Sequence, residues 1–180
     1  MKKIILTFIV IFLVLIIYIF NRDKKIYILY IGDNIALNRP NVDRIISEYK
    51  KDKLLEKFVE YKNNNDYRSI DLLNYVDNNI KFQYKNKNYT LDNALIKADV
   101  IIISIGNNDL KYCEESCSYQ YIDEVIGDLN KLFNHIRKYS KEKIYIYPLK
   151  VINNIEFNKY MNKKFNHLIK KYRIEKILLY

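Results

Sequence analysis

Glycine is scarce in this chain, three residues in 180. Two of the three, Gly32 and Gly106, stand directly after apolar runs, and a sequence so poor in glycine keeps it where the backbone takes a conformation that other residues avoid. Cysteine and histidine are equally thin, two of each. Cys113 and Cys117, spaced C-x3-C in "KYCEESCSY", have no second pair of Cys or His nearby to complete a tetrahedral zinc site, so neither a metal nor another cofactor is expected. In an exported protein they suit one disulfide in a loop, provided the segment is not regular helix. No recognised nucleic-acid-binding motif is present, and no nucleic-acid partner is expected.

Long apolar runs are limited to one, Ile4 to Phe20. At the rise of a helix it spans roughly 25 Å, close to the thickness of a bilayer core. No small-x-small cleavage site follows, because Tyr18, Ile19, Phe20, Asn21 and Arg22 are too large for a signal peptidase pocket. The expectation is an uncleaved transmembrane helix that anchors the chain through residues 4–20. Residues 1–25 then form the anchor and linker, and residues 26–180 a single domain. The flanking cations, Lys2 and Lys3 against Arg22, Lys24 and Lys25, nearly balance. A short N-terminal tail usually stays inside, which places the domain outside the cytoplasm as a single-pass protein of the cell membrane. The net charge is +10, but the lysines are scattered among Asn, Ile and Tyr. They read first as a solvated surface, and second as an attraction to anionic lipid or to an acidic envelope polymer.

Three shorter runs, Ile26 to Ile31, Val100 to Ile105 and Ile144 to Tyr147, are β-branched or aromatic and bounded by turn residues, as strands buried on both faces are. A fourth, Ile177 to Tyr180, closes the sequence. Between them Ile122, Val125, Ile126, Leu129, Leu132, Phe133 and Ile136 repeat at helical spacing. So do Phe157, Tyr160, Met161, Phe165, Leu168, Ile169 and Tyr172, and, over a shorter stretch, Val42, Ile45, Ile46 and Tyr49. Another helix is expected from about Ser69, and "KFQYKNKNYTL" reads as a hairpin turning at Asn86 to Lys87. Strands alternating with helices imply an α/β three-layer sandwich with a parallel sheet, flavodoxin-like, whose ligands bind beyond the carboxyl ends of the strands.

At those ends stand "YIGDN" and "IIISIGNNDL", which resemble blocks I and III of the SGNH/GDSL hydrolases; "NNNDYRSIDLL", Asn63 to Leu73, resembles the block II region. The resemblance implies an esterase fold. In that family a Ser after Gly-Asp attacks the ester, and its own N–H, a block II Gly N–H and the block III Asn stabilise the oxyanion. A C-terminal Asp-x-x-His supplies the base. Here the nucleophile position falls on Asn34, the block II glycine on Asp66 and the oxyanion Asn on Asn108; only the last is retained. An amide cannot serve as the nucleophile, since its nitrogen lone pair is delocalised. No aspartate follows Asp128, and Leu132 and Lys164 stand three residues before His135 and His167, so no Asp-x-x-His occurs. Both histidines read as surface or boundary residues of their helices. Asp33 and Asp109 read first as acceptors for the N–H groups of their own turns, with ligand contact as the alternative.

The sequence therefore predicts a degenerate, C-terminally truncated relative of that family: membrane-anchored and catalytically inactive. Its crevice, lined by Gly32, Asp33, Asn34, Gly106, Asn108 and Asp109, would take an acyl or sugar ester or a partner protein. Two rivals stay open. One is an active carboxylic-ester hydrolase with a partner-supplied base or a non-standard nucleophile; the other is a purely structural membrane protein. A Ser, Thr or Cys within reach of a His at the crevice would favour the enzyme. A reporter fused after Tyr180 is expected outside the cytoplasm, and N-terminal sequencing of the membrane-extracted protein is expected to begin near Met1; cleavage after Phe20 would contradict the anchor.

Overall fold

The computed structural model describes residues 25–32, 40–51, 55–61, 68–111, 113, 117–149 and 154–177. The chain runs β1 (Ile26–Gly32), α1 (Pro40–Lys51), β2 (Leu55–Tyr61), α2 (Ser69–Asp77), β3 (Phe82–Tyr84), β4 (Lys87–Tyr89) and α3 (Leu91–Lys97). It continues through β5 (Val100–Ser104), α4 (Asn107–Lys111), α5 (Tyr119–Tyr139), β6 (Lys143–Ile146), α6 (Ile155–Tyr172) and β7 (Glu175–Lys176). Five strands form one sheet in the order β2-β1-β5-β6-β7, and every pairing in it is parallel.

A parallel sheet is covered on both faces, which is why β1 and β5 are apolar without interruption. Leu29, Ile31, Ile101, Ile103, Ile144 and Ile146 point to one face, where the buried stripes of α2, α3, α5 and α6 close over them. Ile28, Tyr30, Val100 and Ile102 point to the other, against Ile46 of α1, with Ile45 and Tyr49 alongside. The expected α5 stripe is buried in full, and α6 buries Met161, Phe165, Leu168, Ile169 and Tyr172. Arg137 ties the far ends of these two helices together, donating to the carbonyls of Tyr172, Glu142 and Arg173 at 2.7, 2.7 and 2.8 Å. Such contacts satisfy carbonyls that a helix C-terminus leaves without partners.

The structure departs from the sequence reading in several places. Strand β2 was not expected, because "LEKFVEY" interrupts its apolar residues with Glu56, Lys57 and Glu60. It is an edge strand, paired on one side only, to β1. Helix α3 was likewise missed, although Thr90 caps it by accepting from the Asn93 N–H at 3.3 Å. The hairpin turns at Lys85 and Asn86, with φ of 47° and 61°, one residue earlier than predicted. Paired left-handed residues match the twist of a tight hairpin. Among the described residues the last strand is the exposed Glu175–Lys176, paired with Tyr145 and Ile146; the expected run from Ile177 to Tyr180 lies, apart from Ile177, outside them. Among the described residues no helix is long and apolar enough to cross a membrane; the predicted anchor at residues 4–20 lies outside them.

Gly106 justifies its rarity. Its φ is +101°, and a Cβ there would sit 2.8 Å from a methyl of Leu149. Gly106→Ala is expected to destabilise the domain by about 1–3 kcal/mol, read from the midpoint of urea unfolding.

Candidate functional site at the carboxyl edge of the sheet

Strand β1 lies where the strand order reverses: the chain leaves it for β2 on one side and later returns to β5 on the other. In a parallel sheet of this kind such a reversal is where ligands bind, beyond the carboxyl ends of the strands, here past Gly32 of β1 and Ser104 of β5. Gly32 and Ser104 pair across that point. Gly32 accommodates a neighbour rather than an unusual φ: a Cβ there would overlap the ring of Tyr30, which lies on the same side of the strand. The turn after β5 then enters α4, closed by the Leu110 N–H donating to the Gly106 carbonyl at 3.2 Å.

Asn107, Asn108 and Asp109, in that turn, are all buried, at 8, 1 and 3 % exposure. Burying an ionisable group is costly unless it is hydrogen-bonded. Asp109 meets the requirement across the crevice: it accepts from the Ser69 N–H at 3.0 and 3.2 Å and from the Ser69 hydroxyl at 2.8 Å. Ser69 is the first residue of α2, whose N–H has no partner within the helix, so the carboxylate caps α2 from 40 residues away. Arg68 at the N-cap uses Asp71 of its own helix instead, donating its N–H at 3.0 Å. Burial pushes the Asp109 carboxyl above its ordinary value; the bonds from Ser69, the residue's own N–H and the charge of Arg68 oppose the rise. The expectation that Asp109 serves mainly its own turn is thus corrected, because its principal partner is another element. On the other side the Tyr121 hydroxyl of α5 donates to the Asp109 carbonyl at 2.7 Å.

Of the expected lining, Gly32 ends β1 beside Ser104 of β5, and Gly106, Asn108 and Asp109 follow β5 in the turn and in α4. Asp33, Asn34 and Asp66 lie outside the described residues. The sequence reading missed Ser69, Ser104 and Tyr121. Ser69 carried a partial signal, since it opens the helix expected in the block II region, but its pairing with Asp109 is long-range and has no local pattern.

The histidines are elsewhere. Helix α5 starts at the carboxyl edge and returns to the amino edge, so His135 lies roughly 21 Å along the helix from Tyr121. There its Nε2 meets Asp92 Oδ1 of α3 at 2.6 Å, a contact that joins two elements and makes it more than a surface residue. His167 sits in the second half of α6 and is exposed. Among the described residues no Ser, Thr or Cys is hydrogen-bonded to a histidine, and no group of three or more His, Cys, Asp or Glu could hold a metal. Cys113 and Cys117 form a disulfide between α4 and Ser118, the N-cap of α5.

No protein-family model and no curated protein matches this sequence. Solved structures do match its fold. AlinE4, an SGNH-hydrolase family esterase, superposes with a TM-score of 0.61 at 13 % identity, over 86 % of this chain and 76 % of that one. A GDSL-like lipase from Parabacteroides merdae gives 0.60 at 14 % identity, over 88 % and 79 %. An acetyl xylan esterase gives 0.57 at 14 % identity, over 84 % and 76 %. The chain has the SGNH-hydrolase fold.

The buried carboxylate gives a signed prediction. Because its folded value is raised, the folded chain holds this proton to a higher pH than the unfolded chain. The associated stability is complete below the ordinary carboxyl value of 3.8 and is lost as pH rises through the folded value. Asp109→Asn should remove that fall from a plot of unfolding free energy against pH. Ser69→Ala, which takes away a hydrogen bond to a charged group, should cost about 1–3 kcal/mol at neutral pH.

Proposed function

We propose that this protein is a membrane-anchored, catalytically silent relative of the SGNH hydrolases, whose crevice binds an acyl or sugar ester or a partner protein outside the cytoplasm. The observation that carries the reading is the placement of the histidines. His135 is held by Asp92 toward the amino edge, and His167 is exposed on a distant turn of α6. Neither is bonded to a hydroxyl or thiol that could attack an ester. Asn34 at the nucleophile position supports the same conclusion, as does the depth of Asn108, which is 1 % exposed. An oxyanion donor has to reach the substrate, whereas a buried amide fits a packing role.

Anchoring and export rest on the apolar run at residues 4–20, and the Cys113–Cys117 disulfide supports an oxidising compartment. In this arrangement Lys25 leads into β1 at the amino edge of the sheet. The crevice, at the opposite edge, then faces away from the bilayer. Its ligand is accordingly something presented from the envelope rather than a lipid of the same membrane.

The expected outcome is no hydrolysis of short-chain aryl esters above background and no labelling by a fluorophosphonate. Asn34→Ser is expected to restore neither. A new hydroxyl without a base stays protonated at neutral pH, and members of a triad act as a unit, so replacing one returns little. Asn108→Ala should leave both assays unchanged and lower stability by about 1 kcal/mol. Ordinary turnover by Asn34→Ser would overturn the reading in favour of a hydrolase with a base supplied from outside the crevice described here.

A further inference from the structure

A concavity lies on the edge of the sheet that carries Asp109. It is an open groove of about 550 Å³ between the first turns of α5 and α6, lined by Tyr119, Glu156, Lys159, Tyr160 and Lys163. Both helices start at the carboxyl edge, because each follows one parallel strand and must return to begin the next. Tyr119 stands two residues before Tyr121, whose hydroxyl holds the Asp109 carbonyl. The chain leading to it is stapled by the disulfide to Cys113, which is buried in the core. The groove is therefore tied to the residues around Asp109 through the start of α5.

The aromatic floor is preorganised. Tyr119 is 45 % exposed, yet its ring is held edge-on by Phe157 at 4.8 Å and Tyr160 at 4.9 Å. The Tyr160 hydroxyl is fixed in turn on the Asp123 carboxylate, at 2.9 and 3.0 Å. Asp123 is already neutralised by Lys164 at 3.2 Å, so it does not offset the other cations. Lys159 and Lys163, one helical turn apart, make no ion pair among the described residues and face a single carboxylate in the lining, that of Glu156.

We propose that this groove binds an anionic polysaccharide, with a sugar ring lying on the Tyr119–Tyr160 ledge and the acidic substituents of the chain on Lys159 and Lys163. A rigid aromatic surface with polar tips offers ring-sized apolar contact beside hydrogen-bonding groups, and the two unpaired ammonium groups set the sign of the charge. A bilayer fits less well. Among the described residues, the large exposed apolar ones on this edge are Tyr119 and Ile155, and membrane docking needs a broader apolar face. The inference extends the binding reading above by naming a ligand class. It rests on that reading only for the idea that the polymer continues into the crevice.

The test uses the full chain in nanodiscs of uncharged lipid, with polygalacturonate as the probe and amylose, polyglutamate and phosphatidylglycerol vesicles as comparators. Polygalacturonate is expected to bind best. Tyr119→Ala should weaken it about tenfold, Tyr119→Phe should retain it, and the double change Lys159→Glu with Lys163→Glu should abolish it. Equal binding of polyglutamate, or indifference to Tyr119→Ala, would mean that the +10 chain attracts polyanions without a site, and would overturn the proposal. Equal binding of amylose would overturn the anionic ligand class. Vesicle binding that Tyr119→Ala weakens would make the groove a lipid contact and overturn it as well. The two proposals fail separately: ester hydrolysis by Asn34→Ser would leave the groove standing, and loss of polymer binding would leave the silent crevice standing.

Discussion

The carboxyl edge of this fold depends on one buried carboxylate. Asp109 receives both the N–H and the hydroxyl of Ser69, and with them the orphan end of α2. Its own carbonyl receives the Tyr121 hydroxyl of α5. Three elements that are distant in sequence thus meet on a single residue at the point where the strand order reverses. Burial works against the arrangement by raising the carboxyl, and the helix terminus works for it, because an N-terminal turn favours negative charge. Removing either partner would leave the other desolvated and unsatisfied.

The turn residues on the same edge have folding roles as well. Gly106 holds a left-handed turn that a side chain would strain, and Gly32 leaves room for the Tyr30 ring. Asp109 caps a helix that lacks another cap for its first N–H. Each of these has a folding role independent of chemistry. The turn residues on this edge are thus accounted for by the fold itself, without reference to any reaction.

Much of the architecture was legible because it follows from periodicity. The stripes of α5 and α6 and the buried runs of β1, β5 and β6 announced a parallel sheet wrapped by helices. What failed were elements whose signal is weak for a physical reason. Strand β2 is an edge and tolerates charge, α3 is too short to repeat its period, and β7 is two exposed charged residues positioned by their neighbour. At the site, glycine scarcity pointed to both turns, and Gly-Asn-Asn-Asp to the residues after β5. Ser69 and Tyr121 were not visible, since a contact spanning 40 residues leaves no local pattern.

The histidines show why residue identity alone could not settle the chemistry. An imidazole within 2.6 Å of a carboxylate is the geometry of a base and its orienting partner, and in isolation the His135–Asp92 pair would invite a catalytic reading. Its place on the helix decides otherwise. A base acts over a hydrogen bond or one intervening water, and Tyr121, which touches the site, lies about four helical turns away. The pair instead joins α5 to α3, the helix that leads into β5. The same two side chains could have oriented a proton transfer at the other end of the helix; here they join α3 to α5, and neither described histidine is hydrogen-bonded to the residues around Asp109.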